Sequence, residues 1–253
     1  MTVNAASEKK GGAVIIVPAY NEAEYIGNML EPCMEAKRQG LVRDVVVVND
    51  GSTDNTERIA REAGAKVVSF KRNKGKGQAF LLGVKTCKRL GADVLVTLDA
   101  DLLNLKIGHI KELLGKVAPA DVKMAVMHKY EGRMKTPDKK VSGDRALKMN
   151  AFDFLFIKGL NGRPAFPAKR FFGLSKGFGL ELALNQMIKG TVVDFMPRQR
   201  LNARAALGGE AGHMRQVGDL HRTGDLIRIR QRKAENLIIE RRIKSRTKTK
   251  RLH

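Results

Sequence analysis

The sequence predicts an α/β protein in which a mainly parallel central sheet is flanked by helices. In residues 13–127, short apolar runs rich in β-branched residues alternate with longer segments of helical periodicity. The run DVVVVN at 44–49 is continuously apolar between its ends, as expected for a strand buried on both faces. Strands that alternate with helices of this length form parallel sheets covered by helices on both sides.

The elements of the first half follow in a regular order. The apolar run AVIIVP at 13–18 predicts the first strand, and apolar residues at helical spacing predict a helix at 22–38. The strand at 44–49 comes next, and the same alternation continues to residue 127. It predicts helices at 53–63, 77–90 and 107–117, and strands at 66–70, 93–98 and 122–127.

The second half is less regular, and its patterns predict helices at 143–158 and 179–189 and a strand at 191–196. From residue 225, an apolar stripe among basic residues predicts one amphipathic helix that leads into a charged tail. Residues 228–253 hold 11 Lys or Arg and 2 Glu, a net charge of +9. The stripe would pack on the body of the protein, on a partner such as a second copy in a homodimer, or on an anionic membrane.

The charge of the whole chain is unusual: 48 Lys and Arg against 26 Asp and Glu give a formal net charge of +22. Such a field attracts polyanions, anionic membranes and phosphorylated small molecules. Two cysteines are too few for a disulfide framework and suit a reducing cytosol. Since no apolar window approaches the length of a membrane span, we expect a cytoplasmic protein whose membrane contact, if any, is peripheral and on the inner face.

Polar motifs follow three of the predicted strands, at the point where each strand ends. They are PAYNE at 18–22, NDGSTD at 49–54 and DAD at 99–101. Ligands bind at the carboxyl ends of parallel strands, which meet at one edge of a sheet. Helix capping explains Thr53 and Asp54 equally well. Three polar clusters at one edge nevertheless favour a binding site.

Two of the motifs indicate a metal ion and a phosphorylated ligand. Asp99 and Asp101 leave a buried strand within one residue of each other and would raise each other's pKa unless a cation bound them. Mg²⁺ or Mn²⁺, held by carboxylates and substrate phosphates, is the usual resolution. In NKGKGQA at 73–79, glycines admit a close ligand, the start of a helix favours anions and Lys76 adds a positive charge.

In this order, PAYNE, NDGSTD, NKGKGQA and DAD resemble the motifs of the family 2 glycosyltransferases and their relatives with the GT-A fold, over about residues 13–200. The resemblance implies a nucleotide-diphospho-sugar donor and a divalent cation. It implies the following contacts: Pro18, Tyr20 and Glu22 with the nucleoside, Asp50 with the base and Ser52 nearby, Lys76 with the diphosphate, Ala100 with the ribose, and Asp99 and Asp101 with the metal and diphosphate.

A carboxylate at Asp50 can accept an N–H of uracil or guanine, which favours UDP- or GDP-linked donors over ADP-linked ones. Catalytic roles fall to Asp101 and to Glu181, which stands in a Gly-rich turn at a helix start. Glu181 would orient a hydroxyl or act as a general base, unless it only complements the helix dipole. Arg145, Arg198 and Arg200 would bind a phosphate of the acceptor. Each of them could equally be a charged side chain that only faces solvent.

Two branches of the family are similar to the second half. SGDR at 142–145 resembles the SGFR motif of polyprenyl-phosphate sugar transferases such as dolichol-phosphate mannose synthase, with Asp144 in place of Phe. Soluble glucosyl-3-phosphoglycerate synthases are similar at 75–79, 99–104, 177–181 and 215–217. That branch takes a third metal ligand from a His. The equivalent position here is Asn202, and His213 and His221 are the alternatives.

We therefore expect a single GT-A-like domain in four parts. They are an N-terminal extension (1–12), a nucleotide-sugar-binding half (13–127), an acceptor-binding half (128–224) and a basic amphipathic helix with its tail (225–253). The expected reaction is metal-dependent transfer of a hexose to a phosphate-bearing acceptor, first polyprenyl or dolichyl phosphate and second a small phosphorylated acid. NDGSTD argues against a nucleotidyltransferase. Three Tyr, no Trp and no recognition motif argue against a nucleic-acid-binding protein.

Overall fold

The computed structural model describes residues 11–128 and 143–156 and, in the segment that follows, residues 180, 181, 184, 185, 188, 190–195 and 197. Seven strands lie in this part of the chain: β1 (Ala13–Ala19), β2 (Asp44–Asn49), β3 (Lys66–Ser69), β4 (Val94–Thr97), β5 (Val122–Met127), β6 (Arg145–Lys148) and β7 (Thr191–Phe195). The helices are α1 (Ile26–Arg38), α2 (Thr56–Glu62), α3 (Lys76–Arg89), α4 (Ile107–Val117) and a 3-10 helix (Met149–Phe156).

The strands form one sheet in the order β3-β2-β1-β4-β6-β5-β7. β1 pairs in parallel with β2 and β4, β3 pairs in parallel with β2, and β7 pairs in parallel with β5. Of the strands that the structure describes, β6 alone runs antiparallel to both of its neighbours, β4 and β5. Within the described residues, the expectation of a mainly parallel sheet is confirmed.

Helices cover both faces of the sheet. Successive side chains of a strand point to opposite faces, and along β1 the residues Ile15 and Val17 pack in one apolar cluster with α1 and α4. Val14 and Ile16 pack in the other, with α3 and the 3-10 helix. The core is therefore continuous on each side of β1 and β2. This leaves the polar residues at the ends of these strands to form the rim of the sheet.

The predicted helix at 143–158 is wrong, because Arg145–Lys148 is strand β6 and Met149–Phe156 is a 3-10 helix. Ala, Leu, Lys and Met favour a helix in isolation. Here Ala146 and Leu147 are fully buried between β4 and β5, so the pairing of the strands overrides the local preference. Because β6 runs antiparallel to β4, the residues that begin β6 lie at the same edge of the sheet as the residues that follow β4.

The other elements agree with their predicted positions to within four residues, the helices at 22–38 and 53–63 beginning later, at Ile26 and Thr56. Of the predicted helix at 179–189, residues 180, 181, 184 and 185 are described and are helical. The predicted basic helix from residue 225 lies outside the described residues. Among the residues that are described, no helix is both long and apolar enough to cross a bilayer.

Candidate functional site

Loops at the ends of β1 and β2 are tied together by hydrogen bonds. Asn21 adopts a left-handed conformation with φ of 55°, its N–H donates to Ser52 Oγ at 3.0 Å, and its Oδ1 accepts the N–H of Thr53 at 2.8 Å. Asp54 Oδ1 accepts the N–H of Thr56, the first residue of α2, at 2.9 Å, whereas the N-cap residue of that helix is Asn55. Tyr20 projects beside them and is 45% exposed. The two motifs therefore form one rim.

Asp50 fixes the glycine-rich loop that precedes α3. Its side chain is buried, and its two oxygens accept the N–H groups of Lys74 and Gly75, each at 2.8 Å. Gly51, with φ of 73°, packs so closely that a Cβ there would lie 2.6 Å from the Cα of Arg72. Burial raises the pKa of Asp50 by more than these hydrogen bonds lower it. Sequence reasoning assigned Asp50 to the base and missed this contact with the loop.

Lys76, the first residue of α3, joins the two halves of the chain. Its Nζ lies 2.9 Å from Asp99 Oδ1 and 2.7 Å from Glu181 Oε1. Burial by itself would lower the pKa of Lys76, but the charges of Asp99 and Glu181 outweigh it and raise that pKa. Lys76, which the resemblance assigns to the diphosphate, is therefore in direct contact with two other residues of the predicted site, Asp99 and Glu181.

The beginning of β6 reaches the same rim because β6 runs antiparallel to β4. Asp144, which is fully buried, accepts the backbone N–H of Asp99 at 2.9 Å. A Cβ on Gly143 would lie only 2.8 Å from Cγ of Asp99. Gly143 and Asp144 thus hold Asp99 in place, the first through its carboxylate and the second through its backbone N–H.

Arg145 does not lie where a phosphate of the acceptor could reach it. Its side chain is fully buried, and Nη1 donates to Asn185 Oδ1 at 2.6 Å. Burial lowers the pKa of Arg145. The negative charges of four nearby carboxylates raise this pKa but do not outweigh the burial; they are Glu181, Asp194, Asp99 and Asp144. Arg145 is therefore an internal counter-ion of the site and not an exposed anion binder.

The charges at the rim suit a divalent cation. The carboxylate cluster is defined here as Asp99, Asp144, Glu181 and Asp194, and its two cations, Lys76 and Arg145, leave a formal charge of −2. Carboxylate oxygens are the ligands that Mg²⁺ and Mn²⁺ prefer. In the described parts of the chain, no three His, Cys, Asp or Glu side chains are grouped so as to hold a metal.

The remaining predicted site residues are spread between the rim and the core. Pro18 and Ser52 are half-buried at the ends of β1 and β2, whereas Ala100 is buried in the core cluster. Asn185 was missed, because an Asn in a helical pattern gives no signal of its own. The following predicted residues lie outside the described part: Arg198, Arg200, Asn202, His213 and His221.

Comparison with known proteins agrees with this geometry. The family described as glycosyl transferase family 2 matches residues 14–190 of the chain. A UDP-N-acetylglucosamine–dolichyl-phosphate N-acetylglucosaminyltransferase of Methanococcus voltae is 35% identical over 104 residues, 34% of this chain and 40% of that protein. The glucosyl-3-phosphoglycerate synthase of Mycolicibacterium smegmatis is 32% identical over 136 residues, 51% of this chain and 42% of that protein. The matched segments span less than half the length of these two relatives.

Among solved structures, the chain is similar to the glucosyl-3-phosphoglycerate synthase from Mycobacterium tuberculosis in complex with Mn²⁺, uridine-diphosphate and phosphoglyceric acid. The TM-score is 0.60 at 18% identity, over 85% of this chain and 76% of that one. At this level of identity the similarity establishes the fold, which is the GT-A fold expected from the motifs.

Proposed function

The chain belongs to glycosyl transferase family 2, and we propose that it transfers a hexose from a UDP- or GDP-linked donor to a phosphate-bearing acceptor with Mg²⁺ or Mn²⁺. One observation carries the proposal. Lys76, Asp99 and Glu181 come from three separate motifs, and Lys76 Nζ lies within 2.9 Å of a carboxylate oxygen of each of the other two at the rim of the sheet. A lysine and carboxylates at one point suit a diphosphate together with its metal ion.

The rim supports specific donor roles. Asp99 and Asp101 would hold the divalent cation, which would neutralise the diphosphate leaving group. Lys76 supplies a second positive charge at the same place. The nucleoside would lie along the loops that end β1 and β2, against Pro18, Tyr20, Glu22, Asp50 and Ser52. Ala100 would contact the ribose through its backbone, since its side chain is buried.

We propose polyprenyl phosphate as the first acceptor. The net charge of +22 and the basic stripe after residue 225 favour an anionic lipid surface. The similarity to a dolichyl-phosphate N-acetylglucosaminyltransferase supports this choice. A phosphate oxygen is already anionic and needs no strong base, so Glu181 would orient the reactants rather than remove a proton. Arg198 and Arg200 would bind the acceptor phosphate, and His213 or Asn202 would add a metal ligand.

A small phosphorylated acid is the second acceptor candidate. It is favoured by the similarity in fold to a synthase whose structure contains phosphoglyceric acid, and by 32% identity over 136 residues to another such synthase. In this alternative the donor site is unchanged. The basic segment after residue 225 would pack on the protein and not on a lipid surface.

A thermal-shift screen of the full chain tests the donor assignment. UDP-glucose, UDP-N-acetylglucosamine, GDP-mannose and ADP-glucose are added with and without Mn²⁺, because a ligand that binds only the native state raises the melting temperature. We expect a Mn²⁺-dependent rise with a UDP- or GDP-sugar. The best donor is then assayed with polyprenyl phosphate and with 3-phosphoglycerate. If no nucleotide sugar stabilises the protein or is consumed with either acceptor, the proposed function is wrong.

A further inference from the structure

The ammonium of Lys76 is paired with Asp99, the carboxylate that the proposed function gives to a metal ion. It lies 2.9 Å from Asp99 Oδ1, and the Asp99 side chain is only 17% exposed. Its other contact, Glu181 Oε1 at 2.7 Å, belongs to a side chain that is 2% exposed. In this structure, a lysine thus supplies to Asp99 the positive charge that the proposed function assigns to a divalent cation.

We infer that Lys76 is a resident counter-ion: without nucleotide it neutralises Asp99 and weakens metal binding there, and with nucleotide it moves to the donor diphosphate and releases Asp99 to the metal. The inference rests on the proposed function and adds an order to donor loading. Metal alone binds poorly, whereas metal and nucleotide together bind well.

Electrostatics requires this competition. A Mg²⁺–oxygen bond is about 2.0–2.1 Å long, so a cation on Asp99 would stand within a few Å of the Lys76 ammonium and be repelled by it. Lysine can respond because its charge is carried on a flexible four-carbon stem. Its side chain is 34% exposed, so it has access to the open side of the rim, where a diphosphate would bind.

Glu181 remains compensated when Lys76 leaves. Its Oε2 is buried and accepts no hydrogen bond from any described residue. The buried guanidinium of Arg145 nevertheless feels the charge of Glu181 more strongly than that of any other carboxylate. Arg145 therefore supplies a fixed charge and Lys76 a movable one. This division explains why the site has two cations of different type and burial.

Thermodynamic linkage predicts the direction in which each ligand changes the affinity for the other. If nucleotide removes Lys76 from Asp99, nucleotide raises the affinity for metal, and metal raises the affinity for nucleotide by the same factor. Removing the Lys76 charge should then have opposite effects on the two ligands. Mn²⁺ should bind the nucleotide-free protein more tightly, and UDP should bind the metal-free protein more weakly.

The experiment measures free Mn²⁺ by electron paramagnetic resonance in titrations of the full chain, without and with saturating UDP. For Lys76→Met we expect an affinity for Mn²⁺ without UDP at least about tenfold higher than in the unchanged protein, since a neighbouring unit charge is worth more than one tenfold step at protein-like dielectric. The matched control is Lys88→Met, which removes an ammonium from the same helix, 3.3 Å from Asp153 and remote from the rim. It should leave the Mn²⁺ affinity within about twofold of the starting value, because distant exposed charges are screened.

A second variant covers the case in which Lys76→Met does not fold. Lys76→Met/Glu181→Gln removes one charge of each sign, so the carboxylate of Glu181 is not left without Lys76, and Asp99 is still freed. It too should bind Mn²⁺ more tightly without UDP. If neither variant does so while the unchanged protein binds Mn²⁺ with UDP, the inference is overturned and the proposed function stands. If the unchanged protein binds no Mn²⁺ even with UDP, the metal-dependent function itself fails.

Discussion

Gly143 packs directly on the carboxylate of Asp99, with no space for a side chain between them. A Cβ on Gly143 would lie 2.6 Å from Asp99 Oδ2 and 2.8 Å from Cγ, closer than real side chains approach. Asp99 is held on its backbone side as well, because its N–H donates to Asp144 at 2.9 Å. The start of β6 therefore sets where this carboxylate can point.

Gly143→Ala should impair transfer without removing any functional group, because the new methyl group must displace the Asp99 carboxylate. We expect at least a tenfold lower kcat/KM, since misplacement of a reacting group by about 1 Å can cost ~100-fold. The control is Gly115→Ala in α4, where a Cβ meets no atom within 4 Å. That change should raise the free energy of unfolding by about 0.5–1 kcal/mol and leave transfer intact. Equal activity of both variants would contradict the role given to Gly143.

Asp101→Ala should abolish transfer while the protein stays folded, because a half-buried carboxylate at the rim contributes little to the core. The loss should reach at least ~100-fold, the scale of a lost electrostatic contact to the transition state. Transfer assays, with and without EDTA, and thermal unfolding measure the two effects. Asp121→Ala, at an exposed carboxylate just before β5, serves as the control and should remain active. Full activity in EDTA would refute the metal assignment.

Asp50 should discriminate between nucleotide bases. If its carboxylate accepts one N–H from uracil or guanine while it still holds Lys74 and Gly75, UDP- or GDP-linked donors gain about 1.5–3 kcal/mol over ADP-linked ones. A carboxylate has about four acceptor positions, and the two loop contacts use two of them. Isothermal titration calorimetry with three donors that differ only in their base checks this. ADP-sugar binding as tight as both others would be inconsistent with the assignment.

Deletion of residues 228–253 tests the acceptor. This segment carries a net charge of +9, and each basic residue near an anionic surface contributes about 1 kcal/mol. We expect weaker, less salt-sensitive binding to phosphatidylserine vesicles and reduced transfer to polyprenyl phosphate, with hydrolysis of the donor preserved. A segment that packs on the protein would instead lower the melting temperature and impair every activity. A full chain that ignores vesicles at low salt yet glycosylates 3-phosphoglycerate would favour the small acid.

The strands of the first half were predictable because their signal is local. The runs in β1 and β2 are continuously apolar, and a strand buried on both faces requires this. The strand β6 was missed because Arg145–Lys148 has no such run, and only its partners β4 and β5 make it a strand. The same reason hid the contact of Lys76 with Glu181. Sequence motifs indicate which residues share a rim, whereas the pairing of their charges depends on contacts between distant parts of the chain.

The residues that contact each other at the rim lie far apart in the sequence, and this distance has a consequence for folding. Lys76 and Glu181 are 105 residues apart, and the bond between Asp99 and Asp144 spans 45. The loss of chain entropy on closing such long loops must be met before the contacts form, so pairings of this kind tend to come late. Strands β1 to β4 can associate through shorter loops, but their rim lacks Asp144, Arg145 and Glu181 until β6 and the helical residues at 180–181 and 184–185 are added. The rate at which nucleotide binding is regained during refolding would then report the last assembly step of the domain.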